Sequence, residues 1–453
     1  MKKILLFTVL VTPLVLQNVR AADLLSSWQA ARSYDANFAM ARDVLAVGEE
    51  SAKQGDAAIL PQVTMTGSAS QSTSTYHAGQ YSISDPSATK QGQTYNTALN
   101  LTQPIYDASA FATRKQLKKK TIQAQILYQA AEQDLILRVA KAYFDVLIAQ
   151  ENLALVNSQK EAVSQQLALA RKTFAVGRST ITDTNEAQAR YDAIIASEIS
   201  AKNDLVVKAN AYRNLTNQPP TQLNVFADLR MPTAPEPSSV DIWMTKARED
   251  SLTIRAQQLD LDIASFDIER YRLENSPKLS LVASYGNQTE NGSISTSGGR
   301  DRTSSGFIGL QLTIPLYSGG QRSSQLRQAI SFRDQQRDTL EQIRRDTEQS
   351  ARQYYLGVES GAAQIKALEQ AKTSSASSVA SSKMGREVGV RTTVDVLNAE
   401  QNYYQTVYNL VLARYQYLFN KLQLSASVGN LNEAELVDVN SWLAAQTLTQ
   451  EKP

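Results

Sequence analysis

No cysteine occurs among the 453 residues, and there is a single histidine, His77. Without thiols the chain has no disulfide, no thiolate metal site and no lipid-anchored N-terminal cysteine. A lone imidazole in a polar loop reads as surface decoration rather than as a ligand or base. Beyond the first residues there is no apolar run of about 18, so no membrane helix is expected. Such a chain enters a membrane only as a β-barrel. There is no Gly-rich phosphate loop, and the formal net charge of +2 gives no basic excess, so neither a nucleotide cofactor nor nucleic acid is indicated. A paired-carboxylate hydrolase stays formally open, but no cleft-forming pattern supports it. The reading is of a protein that is not an enzyme and needs no cofactor.

The N-terminus carries a secretory signal. Met1-Lys2-Lys3 is a basic start, residues 4–16 are apolar, and Val19-Arg20-Ala21 is a small-residue cleavage site. Removal of residues 1–21 takes away Lys2, Lys3 and Arg20 and lowers the formal charge to about −1.

Proline is absent between Pro104 and Pro219, and again between Pro315 and Pro453. Because proline inside a helix costs about 3 kcal/mol, both windows suit long helices. Residues 106–176 are rich in Ala, Gln, Glu, Lys and Leu, with apolar residues recurring at three and four: Leu135, Val139, Tyr143 and Val146, then Val163, Leu167, Ala170 and Phe174. Such a helix reaches on the order of 100 Å. Residues 318–384 repeat the length with smaller side chains, as in Ser374-Ser375-Ala376-Ser377-Ser378.

That similarity is part of an internal duplication. Val176-Gly177-Arg178-Ser179-Thr180-Ile181-Thr182-Asp183 is echoed by Val388-Gly389-Val390-Arg391-Thr392-Thr393-Val394-Asp395, and Leu101-Thr102-Gln103-Pro104-Ile105-Tyr106 by Leu312-Thr313-Ile314-Pro315-Leu316-Tyr317. Leu60-Pro61-Gln62-Val63 answers to Ser276-Pro277-Lys278-Leu279, and Trp28 to Trp243. Each copy reads as helix, strand, loop, strand, very long helix, turn, helix. The copies span residues 22–218 and 240–429, with a Pro-rich linker at 219–239 and a mixed segment at 430–453 expected to be peripheral. Thr180 with Asp183, and Thr392 with Asp395, have the spacing of capping boxes, and Gly177 and Gly389 supply the reversal before them. A duplicated rod suggests equivalent staves of a wall rather than one asymmetric pocket.

Four stretches alternate apolar and polar residues: 63–69, 95–101, 279–281 and 308–314, separated by polar loops at 76–93 and 286–305. One-sided apolarity suits lipid outside and water inside. Four strands cannot close around a pore, but three copies give about twelve.

These motifs, in order and in duplicate, make the chain closely resemble the TolC family of outer-membrane channels. The resemblance covers residues 22–436 and also rests on Ala142-Tyr143-Phe144-Asp145-Val146-Leu147, Phe174-Ala175-Val176-Gly177 and Pro315-Leu316-Tyr317-Ser318-Gly319-Gly320. It implies a mainly α protein with a membrane β-barrel: a homotrimeric 12-stranded β-barrel in outer-membrane lipid, continuing into a 12-helix periplasmic α-barrel with a mixed α/β equatorial region. Its tapered end would be closed at rest and opened by a periplasmic adaptor (membrane fusion) protein and an inner-membrane pump or ABC transporter. The cargo stays open between drugs, secreted proteins or both.

The resemblance also implies roles at the two glycine turns. Arg391 matches a gate arginine that would bond Thr182 and Asp183, with Arg386 where a gate tyrosine is usual. A guanidinium presents several donors in a fixed fork, so it can hold two acceptors together. Asp395 matches an entrance-ring carboxylate. The second ring position is Asn398, leaving three carboxylates rather than six, with Glu387 nearby as partial compensation. Turns Gly177-Arg178-Ser179 and Gly389-Val390 are the expected adaptor contacts. The rival reading is a trimeric coiled-coil adhesin or spacer without a channel, which gives no reason for matched strand pairs or duplicated glycine tips.

Overall fold

The computed structural model describes residues 23–76, 88–227 and 231–444. The secretory signal and His77 lie outside the described residues. The chain divides into two compact units: one drawn from Met40–Ala131 and Arg248–Glu348, the other from Met1–Ala39, Glu132–Ala247 and Gln349–Pro453.

The first unit holds a four-stranded antiparallel sheet. Strands β1 (Gln62–Tyr76), β2 (Ala88–Tyr106), β4 (Lys278–Gly292) and β5 (Arg300–Thr313) lie in the order β1-β2-β4-β5, so the two hairpins are joined through β2 and β4. Side chains alternate between two faces. Val63, Met65, Leu99, Leu101, Leu281, Leu310 and Leu312 fall on one face, and the chain leaves it uncovered: Met65 is 74% and Leu310 65% exposed. The other face carries Thr66, Asn100 and Ser284, joined in a row because Asn100 Nδ2 donates to Thr66 Oγ1 at 3.3 Å and Ser284 Oγ donates to Asn100 Oδ1 at 2.8 Å.

The strands run well past the apolar stretches, so residues expected in polar loops at 286–292 and 300–305 belong to strands instead. A ladder is held by backbone hydrogen bonds, which Ser, Thr, Asn and Gln support as readily as Leu. Their polarity therefore marks where the apolar band ends, not where pairing ends.

Each hairpin is preceded by two helices, not one. Helices α1 (Leu24–Tyr34) and α2 (Ala36–Ala57) are matched in length by α5 (Val240–Asp250) and α6 (Leu252–Leu273). The first break falls at Asp35, whose carboxylate accepts the Phe38 backbone N–H at 2.8 Å and pairs with Arg138 at 2.9 Å. That demand on its carboxylate favours a cap over an uninterrupted helix.

The long helices are α3 (Ala108–Ala175) and α7 (Gln321–Glu387), followed by α4 (Ile181–Thr216) and α8 (Thr393–Ser427). Helix α7 begins three residues later than the proline pattern suggests, because Gly319 and Gly320 take φ of 62° and 84°, outside the helical range.

The core of the second unit forms where α3, α4 and α8 converge. Leu135, Val139, Tyr143, Val146, Tyr212, Tyr415 and Leu418 are essentially inaccessible, as their helical spacing predicts. Val163, Leu167 and Ala170 are buried too, whereas Phe174, at the last turn of α3, is exposed. The linker is stitched to this core by aromatic side chains. Tyr143 donates to Asn224 O at 3.0 Å, and Tyr417 both donates to Thr233 O at 3.0 Å and accepts its N–H at 3.2 Å. Tyr355 donates to Ser238 O, and Trp243 Nε1 to Pro237 O, each at 2.9 Å. The C-terminal segment is no periphery. Helix α9 (Glu433–Asn440) buries Leu436 and Val439, and β6 (Leu443–Ala444) pairs with β3 (Val225–Phe226) in the linker.

Candidate gate at the hairpin tips

Both turns between paired helices have the same construction. In the first, Gly177 takes φ +71°; its N–H donates to Phe174 O at 2.9 Å and Arg178 N–H to Thr173 O at 2.8 Å, which closes the carbonyls of the last α3 turn. In the second, Gly389 takes φ +81°, its N–H donates to Arg386 O at 3.1 Å, and Val390 N–H donates to Gly385 O at 2.9 Å. Each turn then enters a capping box. Thr180 Oγ1 accepts Asp183 N–H at 3.2 Å while Asp183 Oδ2 accepts Thr180 N–H at 3.1 Å, and Thr392 and Asp395 repeat this at 3.1 Å and 2.8 Å.

The two aspartates thus use Oδ2 for capping and present Oδ1 outward. At Asp395 that atom lies 3.9 Å from Arg391 Nη1, a loose contact between side chains that are 39% and 59% exposed. The Thr392 backbone N–H, then its hydroxyl, and more weakly the Arg391 charge hold the Asp395 carboxyl below the ordinary aspartate range. Asp183 Oδ1 accepts nothing among the described hydrogen bonds, and Arg391 is not bonded to Thr182 or Asp183 there. Gly385 makes room for Arg391, since a Cβ at Gly385 would meet Arg391 Cγ at 2.7 Å.

The contacts that join one helix hairpin to the other are different ones. Arg190 on α4 donates to Gln401 Oε1 at 2.7 Å and to Asn398 Oδ1 at 3.1 Å, both on α8. Arg386 at the end of α7 donates to Gln166 Oε1 on α3. Leu397 of α8 packs into a cluster with Val163, Leu167, Ala170, Ala187 and Ile194. Asn398, expected as a ring position, is therefore also an acceptor for a guanidinium, and Glu387 is exposed at the α7 terminus. Arg190 was not legible as a partner in the sequence: it sits among polar residues with no motif, and its acceptors lie 208 and 211 residues away.

Within each hairpin a buried glutamate ties the helices. Glu198 on α4 receives Lys160 from α3 at 2.7 Å and Lys202 at 2.6 Å, and these two ammonium groups hold its carboxyl below the ordinary range. Glu400 on α8, nearly inaccessible, pairs with Lys383 of α7 at 2.8 Å. Burial, reinforced by the Glu400 charge, pushes the neighbouring Tyr404 hydroxyl up. A groove of about 600 Å³ runs between α3, α4 and α8, lined by Val156, Gln159, Arg190, Asp204, Gln401 and Tyr404. The tips are apolar where they meet water. Val176 is 69% exposed, Val390 76%, and a Cβ at Gly177 or Gly389 would touch nothing within 4 Å.

Comparison with known proteins gives these tips a context. The profile of the outer membrane efflux protein family matches residues 28–218 and 243–430. The chain is 33% identical over 396 residues to the outer membrane protein TolC of Vibrio cholerae, covering 87% of each chain. It is 28% identical to the proteases secretion protein PrtF of Dickeya chrysanthemi, over 94% of this chain and 92% of the relative. Its fold is similar to that of the CmeC outer membrane channel of Campylobacter jejuni, with a TM-score of 0.76 and 16% identity over 93% of this chain and 89% of that one.

Proposed function

The chain belongs to the outer membrane efflux protein family, and on that premise we propose that three copies close a barrel of about twelve strands, continued by a periplasmic barrel of helix hairpins. The protein is an outer-membrane exit duct for efflux and type I secretion, extending into the periplasm. One observation carries the trimer: a four-stranded sheet with both edges open and one apolar face uncovered. Unpaired backbone groups are prohibitively costly in lipid, so β1 and β5 need partners there, and a second copy offers the complementary edge.

The hairpin tips form the gate. Arg391, loosely held on its own helix, reaches Thr182 and the outward Oδ1 of Asp183 in the closed trimer. Arg386 and Arg190 tether the hairpins from the side. Three Asp395 carboxylates, with Glu387 near them, line the entrance and favour cations, while Asn398 contributes no charge to that ring. A periplasmic adaptor meets Gly177, Arg178, Ser179, Gly389 and Val390, where glycine lets another backbone approach, and exposed Val176 and Val390 provide apolar surface. An inner-membrane pump or ABC transporter supplies the energy and selects the cargo. Family and fold neighbours are channels rather than enzymes, and no residue here is assigned a catalytic role.

A deletion strain assayed together for drug susceptibility and for secreted protein tests this reading. Loss of either export route, restored by the gene, supports it. Export unchanged by both measures, or purified protein that spans bilayers without conductance, returns the chain to the adhesin or spacer class.

A further inference from the structure

The duplication also shows how one copy joins the next. Strand β4 repeats β1 at an offset of 216 residues, set by Pro61 and Pro277, and β5 repeats β2 at an offset of 211, set by Pro104 and Pro315. The hairpin registers confirm both offsets. Gln62 faces Thr102 and Thr75 faces Thr89 in the first hairpin; the equivalents, Lys278 with Thr313 and Asn291 with Arg300, face each other in the second. The two hairpins are therefore superposable in register from end to end.

Inside the chain, the first hairpin meets the second through β2 and β4, with Leu101 opposite Ala283 and Thr94 opposite Glu290. In a closed ring the second hairpin meets the first hairpin of the next copy through the same kind of junction. We infer that β5 pairs antiparallel with β1 of the adjoining copy in the register that transfers from β2–β4, placing Leu312 opposite Gly67 of the partner subunit and Ser305 opposite Ser74 of the partner subunit. This rests on the trimeric reading above and adds the register and the residues that meet.

Two further observations agree. The first is parity. Leu312 and Gly67 both lie on the apolar face, and Ser305 and Ser74 both on the polar one, so the transferred register keeps lipid and water sides in line. A slip of one residue would turn every side chain to the wrong face. The second is what β5 lacks. Strand β2 continues through Pro104 to Tyr106, which pairs with Leu279 beyond a register shift, whereas β5 stops at Thr313. The equivalent residues Leu316 and Tyr317 are 91% and 89% exposed, against 48% and 50% for Ile105 and Tyr106. The transferred register seats Tyr317 beside Val63 of the partner subunit, extends β5 by the missing turn of pairing and covers this patch. Each copy uses each edge once, so the contact is head-to-tail and closes as a ring.

Because the chain has no cysteine, paired substitutions read the register directly. Ser74→Cys with Ser305→Cys is near-isosteric and sits on the water side. Directly opposed residues lie about 4.5–5.5 Å apart at Cα, within disulfide reach. A shift of two residues adds about 7 Å along the strand and takes the pair out of reach. Mild oxidation of cells should convert this double variant to a covalent trimer on a non-reducing gel, reversed by reductant. Ser72→Cys or Ser70→Cys combined with Ser305→Cys should run as monomer. Preferential cross-linking of either shifted pair, or no cross-link from Ser74 in a protein whose native mass is trimeric, overturns the register and leaves the duct intact. A native mass other than that of a trimer overturns both.

Discussion

Replacing Arg190 with alanine removes the two hydrogen bonds that tie α4 to α8 while leaving both turns, both capping boxes and the Leu397 cluster in place. A hydrogen bond to a charged group contributes about 1.5–3 kcal/mol when well shielded. Both bonds here are exposed, and exposed charged contacts measure about 0.2–1 kcal/mol. We therefore assign about 0.5–1 kcal/mol to the Arg190 side chain in one copy. A three-fold gate moves as a unit, so three copies shift its closed-to-open balance by about 1.5–3 kcal/mol, or roughly 10- to 150-fold. Single-channel recording in planar bilayers reads this as longer and more frequent visits to high conductance. Arg190→Gln, which keeps a donor but loses the charge and reach, should fall between. Both acceptors are neutral amides, so the effect should depend on salt less than that of an Arg391 variant does. If Arg190→Ala matches wild type in conductance while an Arg391 variant opens the channel, the α4–α8 tether has no part in gating.

Combining Arg391→Ser with Asp183→Ala should raise resting conductance, and an unchanged small conductance refutes a contact between these residues in the closed state. Asp395→Ala should weaken cation preference, read as a smaller reversal potential in a salt gradient and weaker block by multivalent cations. The Asp395 carboxyl is held below its model value of 3.8. Its capping contribution is therefore complete above that pH and is lost only as pH falls through the lower folded value, so cation preference should persist to about pH 4. Tyr417→Phe removes both bonds to Thr233 from a buried hydroxyl position. It should cost about 1–3 kcal/mol, read as a lower unfolding temperature and faster proteolysis in the linker; unchanged cleavage there would show that the linker is held by other means.

What the sequence made visible follows from the range over which each interaction acts. Capping boxes and glycine turns complete themselves within a few residues, and both appear as expected at Thr180 and Thr392. Proline spacing and helix-forming composition located the long helices to within a few residues. The break at Asp35 was hidden because its reason is Arg138, 103 residues away. The outer parts of β4 and β5 were hidden because polar strands carry no hydrophobic period. The burial of Leu436 and Val439 was hidden because it depends on α1 and α8, which the C-terminal segment meets only after folding. At the gate, the residues known by motif lie at the turns, whereas the bonds that cross between hairpins join Arg190 and Arg386 to glutamine and asparagine, residue types that announce nothing alone.

The two ends of the duplication are under opposite demands. In the sheet, every position must accept a neighbour from its own chain or from the next copy by the same geometry, and the registers of the two hairpins are accordingly interchangeable. At the tips, six equivalent hairpins would have only one way to pack, and a gate needs two. The differences fall there. Arg391 has Ser179 as its counterpart, Asn398 has Glu186, and Arg190 has Asn402. Each guanidinium thus reaches toward residues of the other repeat instead of meeting its own likeness across the pseudo-symmetry axis, where like charges would repel. Restoring the symmetry should therefore damage gating and spare the barrel. Exchanging Ser179→Arg and Arg391→Ser together moves the charge to the other hairpin with composition unchanged. It should leave trimers that assemble and cross-link through the sheet as before, with altered resting conductance. Loss of assembly in that variant would show that the tips, and not the strands, hold the copies together.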